Sequence, residues 1–288
     1  LEPDMLTIRQ KPRLVAPGPV YAKYTDFHEH PFYEASSMRK IGDTYYFVYS
    51  STLSHELCYA TGKSPLGPFA FGGTLVSIGD VGYKGNIVPT NYMGNTHGGM
   101  VEIKGQWYIF YHRQTNKQKC ARQGCAEPIT ILPDGSIPQV EVTSCGLNGG
   151  PLVGKGRYEA RVACNLSSAK GTFAYRKSHE KDKKQEHPFF TQSGEDRNDN
   201  SDQYIANLKG GSWCAFKYFA FDGTEKQISV SGRGNGSFLV STDKEGKALV
   251  ASVPMNSSAP FRIAAGVYAM YFHYQGSDAA DFISFEIR

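Results

Sequence analysis

A pattern of two strands around a tight turn occurs twice in the first half of the chain and constrains the fold most. From Met38 the sequence reads as two strand-forming runs joined by Gly42-Asp43, which is typical of a hairpin. From Gly99 the pattern returns around Lys104-Gly105, and both second runs are rich in aromatic residues. Each unit continues into a further strand-like run and a turn with Pro and Gly. This order predicts four-stranded propeller blades, although the two turns lie farther apart than the ~40 to 50 residues of common propeller repeats. Two unrelated hairpins in a sandwich are the alternative.

Length and composition agree with an all-β protein of two domains. The 288 residues allow two cores, because one core usually serves about 100 to 200 residues. The 18 Tyr and 31 Gly favour strands and turns over helices. Gly and Pro cluster from Gly146 to Pro151, so we predict a first domain over residues 1–150 and a second over 151–288.

The second domain reads as short strands with regular turns, which predicts a β-sandwich of the jelly-roll type. The predicted strands are Gln203–Asn207, Ala215–Phe221, Gln227–Ser231, Ser237–Ser241, Gly266–Phe272 and Asp281–Ile287. The polar segment between His179 and Asp202 has few apolar residues and predicts a long, mobile surface loop.

Charge and hydropathy argue against a nucleic-acid partner and a membrane span. The net charge of +4 is spread thinly, and the one dense basic stretch, residues 177–184, also holds Glu180 and Asp182. No apolar run approaches the ~18 residues of a membrane helix. The six cysteines include no Cys-x-x-Cys pair, so we expect them to be mostly reduced, buried and structural.

The sequence begins at Leu1 without an initiating Met or a signal-peptide pattern, as the middle of a larger polypeptide would. The lack of a signal peptide therefore says nothing about localisation.

One carboxyl stands out as a candidate for acid catalysis. Inverting cleavage of a glycosidic bond needs a proton donor at the leaving oxygen and a second carboxylate that activates water. Glu34 follows the aromatic residues Phe32 and Tyr33 and precedes small ones, so we expect a partly apolar pocket, which would raise its pKa. By composition alone, a structural glutamate is the commoner explanation.

The segments around Glu34 and His97 resemble motifs of glycoside hydrolase family 43, whose fold is a five-bladed β-propeller. The run from Phe32 to Lys40 resembles the family's third-blade segment, in which the Glu is the general acid, so the resemblance assigns that role to Glu34. The run from Asn95 to Arg113 resembles a later-blade motif whose His lies in the central channel and supports a metal, often calcium, or a water. The resemblance implies that His97 has this position, near the carboxyl of Glu34, and that Arg122 reaches the channel and contacts substrate or the acid. For a lone His or Arg, a structural or surface role is the alternative.

The same resemblance leaves part of the catalytic set unassigned. In the family the general base and a second Asp, which modulates the pKa of the acid, precede the Glu segment, but Asp4 and Asp26 match neither motif. Residues 1–150 are therefore expected to be the C-terminal blades of the propeller. The base is expected upstream, in an N-terminal propeller segment that would be a partner of this chain; otherwise the chain alone is inactive.

The second domain resembles a family 6 carbohydrate-binding module. The resemblance nominates Glu159 and Asp281 as ligands of a structural calcium, but Arg161 replaces a typical Glu, which speaks against this ion. Trp213 and Tyr204 are the candidates for stacking on sugar rings. A module that only braces the propeller is the alternative.

Together these features predict an inverting glycosidase on plant hemicellulose, of α-L-arabinofuranosidase or β-xylosidase type. Its partner would be an oligosaccharide or polysaccharide substrate, with calcium as a candidate structural ion and no organic cofactor. We expect a bacterial protein that is secreted or periplasmic, with a cytoplasmic location left open. The alternative functions are a non-catalytic carbohydrate-binding protein on a propeller remnant and a two-domain adhesion protein.

Overall fold

The computed structural model describes residues 1–118, 120–172, 185–194 and 202–288, and its regular structure there is almost entirely strand. The helices that lie wholly within these ranges are one short α-helix, α1 (Pro19–Ala22), and three 3₁₀ turns at Tyr83–Gly85, Gly146–Asn148 and Ala160–Val162. None of the helices in these ranges is long and apolar enough to cross a bilayer. The predicted all-β class is confirmed.

The first sheet is a four-stranded antiparallel blade in sequence order. Its strands are β1 (Phe32–Ile41), β2 (Thr44–Ser51), β3 (Glu56–Gly62) and β4 (Ala70–Ser77). Gly42 has a φ of 56° in the turn between β1 and β2, a conformation that glycine adopts without steric cost. The first predicted hairpin therefore forms where the sequence places it.

The second sheet contains the repeated pattern. Its strands, in order across the sheet, are β5 (Gly99–Ile103), β6 (Gln106–Gln114) and β7 (Arg122–Ile129). Lys104 and Gly105 have φ of 51° and 82°, so both central turn residues are left-handed, as a two-residue hairpin turn matching the strand twist requires. Within the described residues this sheet has three strands, one fewer than predicted.

The remaining strands form a two-sheet sandwich. They are β8 (Leu152–Val153), β9 (Gly156–Glu159), β10 (Asn165–Ser167), β11 (Phe189–Gln192), β12 (Gln203–Leu208), β13 (Trp213–Phe221), β14 (Gln227–Arg233), β15 (Ser237–Ser241), β16 (Leu249–Pro254), β17 (Ser258–Pro260), β18 (Gly266–Gln275) and β19 (Ala280–Ile287). One sheet has the order β10-β13-β18-β15-β16, with β8 beside β13, and the other has β11-β12-β19-β14-β17, with β9 beside β19.

The sandwich core consists largely of phenylalanine rings. Phe216 of β13 meets Phe272 of β18 and Phe285 of β19 in edge-on geometry, with ring centroids 5.2 and 4.9 Å apart. The contact with Phe285 joins the two sheets, and both contacts add to the burial of large apolar area. All six strands predicted for this region are present.

The predicted loop between His179 and Asp202 is partly wrong. Phe189–Gln192 forms β11 and pairs with β12, and Phe190 is buried in the sandwich core. The adjacent residues Phe189 and Phe190 form part of an edge strand, although the residues around them are mostly polar. The rest of the predicted loop lies outside the described residues, apart from residues 185–188, 193–194 and 202.

None of the six cysteines is in a disulfide. Cys58, Cys164 and Cys214 are buried, whereas Cys120 is exposed. Cys125 and Cys145 are half-buried, so the predicted burial is found at three of the six cysteines.

The blades and the sandwich share one hydrophobic cluster. Ile109 and Tyr111 of β6 belong to the same buried cluster as Cys164 and Ala215 of the sandwich. The division at residue 150 stays a prediction, because apolar packing is continuous across it.

A buried ion cluster joins the two parts as well. The Lys217 ammonium on β13 lies 2.8 Å from Glu141 Oε1 and 3.5 Å from Asp80 Oδ2. The Lys217 and Asp80 side chains are only 7% and 6% exposed, so water screens this contact little. Asp80 also accepts a hydrogen bond from Asn165 of β10 at 3.1 Å. Carboxylates from outside the sandwich thus depend on a cation within it.

Replacing Lys217 with Met should destabilise the chain strongly, because the buried Asp80 and the partly buried Glu141 would lose the cation that both contact. We expect a loss of about 3 to 5 kcal/mol in the free energy of unfolding. Urea denaturation followed by circular dichroism measures it. The matched control is Lys155→Met, which removes an exposed ion pair with Asp222 and should cost less than about 1 kcal/mol. Equal losses in the two variants would contradict the role of the buried cluster.

A second buried carboxyl, Glu127 of β7, lies close to the shared cluster. Its oxygens accept hydrogen bonds from the backbone N–H and hydroxyl of Thr143 at 2.7 and 2.6 Å and from the hydroxyl of Tyr111 at 3.2 Å. Burial raises the pKa of Glu127 to about 8, against the lowering effect of these donors. The folded state therefore keeps a proton at pH values where the unfolded chain has lost it.

Glu127→Gln should flatten the pH dependence of stability. In the parent chain, the contribution of Glu127 to stability falls as the pH rises between 4.5 and about 8, since only the unfolded carboxyl ionises in this interval. Glutamine carries no proton to lose, so the variant should lack this slope. Urea midpoints between pH 5 and 8 measure the effect, with the exposed Glu245→Gln as control. An unchanged slope in Glu127→Gln would contradict this assignment.

Candidate active site

The backbone of β1 is irregular around Glu34. Pairing with β2 shifts register between Phe32 and Glu34 and again between Glu34 and Ser37. Ala35, between these shifts, has a φ of 67°, a left-handed conformation that costs a residue with a Cβ about 1 to 2 kcal/mol. Bulges of this kind redirect side chains and are frequent next to active sites. The irregularity sets the direction of the Glu34 carboxyl.

The segment that carries His97 is held by two close backbone approaches. A Cβ at Gly98 would lie 1.7 Å from the carbonyl oxygen of Phe110 on β6, so only glycine fits. A Cβ at Gly99 would lie 2.6 Å from the Ser37 hydroxyl oxygen on β1. The two glycines after His97 therefore let this segment lie directly against both blades.

These two arrangements bring Glu34 and His97 together. Glu34 Oε1 lies 3.3 Å from His97 Nε2, and the two side chains are 43% and 40% exposed. The described residues thus bring about the proximity that the sequence predicted, but they do not enclose the carboxyl in the tight pocket that was expected. Its surroundings remain open enough to admit a ligand.

Ser50 of β2 connects the two halves of this pair. It is the backbone partner of Glu34 across the β1–β2 ladder. Its buried hydroxyl donates a hydrogen bond to the carbonyl of Thr96, the residue before His97. Ser50 therefore contacts both the strand that carries the Glu34 carboxyl and the segment that carries the His97 imidazole.

A second imidazole and Arg122 extend the cluster. The ring of His112 on β6 lies 5.8 Å from that of His97. Burial, followed by the charges of Arg122 and His97, lowers the pKa of His112 to about 4, so this ring is neutral at neutral pH. Arg122 is exposed on β7 and its charge acts on His112. The contact of Arg122 with substrate or acid stays a prediction. The structure adds His112, which the polar pair ending the aromatic run of β6 could have indicated.

A cavity of about 570 Å³ adjoins this cluster between β7 and the start of the sandwich. Its lining is mostly apolar and includes His97, Arg113, Leu147 and Arg161. Glu34 and Arg122 are not among the lining residues, so this cavity is not where the candidate acid would meet a substrate.

The two aromatic candidates of the sandwich do not form one sugar platform. Trp213 lies on β13 and Tyr204 on β12, which belong to different sheets. Trp213 packs beside Tyr271 and against the cluster shared with the blades. The guanidinium of Arg233 covers the Tyr204 ring at 4.4 Å. Core packing and this cation–π contact account for both rings, and a sugar-binding role for either stays a prediction.

The predicted calcium ligands do not form an oxygen-rich shell. Glu159 is in contact with Arg161, and Asp281 Oδ2 lies 3.3 Å from Arg233 Nη1. Calcium prefers six to eight oxygen ligands, and the arginines beside Glu159 and Asp281 already balance these two carboxylates. Glu159 and Asp281 therefore do not fit a calcium ion. A metal supported by His97 through water stays a prediction, and no catalytic step is derived from one.

Comparison with known proteins agrees with the motifs. The chain is 44% identical over 297 residues to a xylosidase/arabinosidase of Thermoclostridium stercorarium, and the match includes all of this chain. This likeness agrees with the resemblance of the Glu34 and His97 motifs to glycoside hydrolase family 43. The chain spans 62% of the length of that relative. No family model matches it.

Two solved structures also align with this chain. A glycoside hydrolase family 43 arabinoxylan arabinofuranohydrolase from Bacillus subtilis, solved with cellotetraose, aligns over 89% of this chain and 54% of its own, with 20% identity and a TM-score of 0.46. A family 6 carbohydrate-binding module from Clostridium cellulolyticum, solved with xylose, aligns over 48% of this chain and 99% of its own, with 10% identity and a TM-score of 0.35.

Gly98→Ala should disrupt the local fold that positions His97, because the new Cβ would overlap the Phe110 carbonyl. We expect a loss of about 1 to 3 kcal/mol or more in the free energy of unfolding, as for other overpacked sites. The control is Gly124→Ala on β7, where no atom lies within 4 Å of the added Cβ. That variant should change stability by less than about 1 kcal/mol. Urea denaturation compares the two, and equal stabilities would contradict the close approach at Gly98.

Proposed function

We propose that this chain is the C-terminal part of an inverting glycoside hydrolase that acts on plant hemicellulose, of α-L-arabinofuranosidase or β-xylosidase type. The observation that carries the proposal is the contact between Glu34 and His97 at 3.3 Å, formed by two motifs that are distant in sequence. The name of the Thermoclostridium relative, xylosidase/arabinosidase, supports the substrate class. We also propose that the protein is bacterial and that it is secreted or periplasmic.

In this mechanism Glu34 is the general acid. Its carboxyl donates a proton to the glycosidic oxygen as the bond to the sugar breaks, so the leaving group departs as a neutral alcohol. His97 Nε2 lies 3.3 Å from Oε1 of the same carboxyl and packs beside it. Arg122, whose charge acts on the neighbouring His112, is proposed to contact the substrate or the acid from β7.

The general base is proposed to come from outside residues 1–288. Both aspartates that precede Glu34 already have local structural roles. Asp26 Oδ2 accepts the backbone N–H of Phe71 at 2.7 Å, and Asp4 Oδ1 accepts those of Leu6 and Thr7 at 2.9 Å. Since the chain spans 62% of its relative, the remaining length of such a protein can supply the base.

Glu34→Gln should lower turnover in a polypeptide extended at its amino terminus to the length of the Thermoclostridium relative. The amide cannot donate the proton, and such donation contributes about 10² to 10⁴-fold to the rate. Release of nitrophenol from arabinofuranosides and xylosides, followed by hydrolysis of xylo-oligosaccharides, measures kcat.

Glu29→Gln is the matched control. This glutamate lies five residues earlier and its side chain is 74% exposed beside His28, so turnover should stay at the parental value. If Glu34→Gln retained full turnover with an unchanged unfolding midpoint, Glu34 would not be the acid. If the extended parent hydrolysed neither substrate, the proposed substrate class would be wrong.

A further inference from the structure

A second cluster of chemically active side chains lies in the same blade as Glu34. His30, just before β1, meets Glu56 and Cys58, which alternate on β3 and therefore point to the same face of the sheet. His30 Nδ1 lies 2.6 Å from Glu56 Oε1, and Cys58 Sγ lies 3.3 Å from the same oxygen and 3.8 Å from His30 Nδ1. Glu56 and Cys58 are buried, and His30 is partly exposed. We propose that these three residues form a binding site for a divalent zinc ion.

The donor atoms match the preferences of zinc. Imidazole nitrogen, thiolate sulfur and carboxylate oxygen are its usual protein ligands, at bond lengths of about 2.0 to 2.3 Å. In a tetrahedral site these bonds place ligand atoms roughly 3.3 to 3.8 Å apart. The two distances from Cys58 Sγ already lie in this range. Only His30 Nδ1 and Glu56 Oε1 must separate, by less than about 1 Å.

Charge balance favours the same ion. With Zn²⁺, a neutral imidazole, a carboxylate and a thiolate sum to zero. The bound site therefore has no net charge in buried surroundings, where such charge is costly.

Neighbouring groups hold the three ligands in place. The Ser51 and Thr74 hydroxyls donate to the Glu56 carboxylate at 2.6 and 3.1 Å. The His30 ring is stacked on Phe71 with centroids 5.0 Å apart, and its carbonyl accepts the Tyr49 hydroxyl at 2.8 Å. Hydrogen bonds and ring packing of this kind orient metal ligands. The partly exposed edge of His30 provides an entry path.

The test is metal binding by the whole chain, and it does not depend on glycoside hydrolysis. Metal-free protein is titrated with Zn²⁺ and, separately, with Co²⁺, whose bond to a thiolate gives a charge-transfer absorption band. We expect one zinc equivalent with a dissociation constant of about 1 μM or tighter, a cobalt band, and a zinc-dependent rise in the unfolding midpoint.

Cys58→Ser and His30→Gln should each weaken zinc binding more than about tenfold, and Cys58→Ser should abolish the cobalt band. The controls are Cys120→Ser and His28→Gln, which alter exposed residues of the same types and should bind as the parent does. His30 is partly exposed, so His30→Gln keeps the test valid if Cys58→Ser does not fold. Absence of zinc uptake by the parent, or a cobalt band that persists in folded Cys58→Ser, would overturn the proposal.

Discussion

Strand β1 does not run regularly past Glu34, and the candidate active site depends on this irregularity. A regular strand would alternate side chains strictly between the two faces of the blade. The paired register shifts and the left-handed Ala35 turn the carboxyl out of that alternation. Its partner His97 reaches the same point because Gly98 allows a backbone approach that any Cβ would prevent. Ser50, which contacts both segments, fixes their relative position.

The sandwich contributes to the stability of this arrangement, because it holds the strand that leads to the site. Arg113 of β6 is buried, donates hydrogen bonds to the carbonyls of Ala163 and Arg161 at 2.5 and 2.8 Å, and stacks on Phe190 at 3.6 Å. The preceding residue on β6 is His112, beside His97. Packing of the sandwich against β6 is therefore coupled to the geometry around the candidate acid, which agrees with the bracing role weighed from the sequence.

Local sequence patterns predicted the strands and turns, because these depend on residues that are close in sequence. Both hairpin turns and all six of the sandwich strands named in advance are where propensity and turn chemistry place them. The approach of Glu34 to His97 was also predicted, although only through the family motifs. The pairing of Lys217 with Asp80 was not, because residues so distant in sequence are brought together by packing that no local period encodes. For the same reason Trp213 and Tyr204 were expected in one role but lie on separate sheets.

The central claim is that the Glu34 carboxyl protonates the leaving group, and the most direct test compares leaving groups in Glu34→Ala of the extended protein. A dinitrophenolate leaves without protonation, whereas a sugar alkoxide does not. The account predicts that the variant hydrolyses dinitrophenyl glycosides at a rate close to the parental one and xylo-oligosaccharides at least about 100-fold more slowly. Equal losses on both substrates would contradict it, because they would show that Glu34 acts by some means other than proton donation.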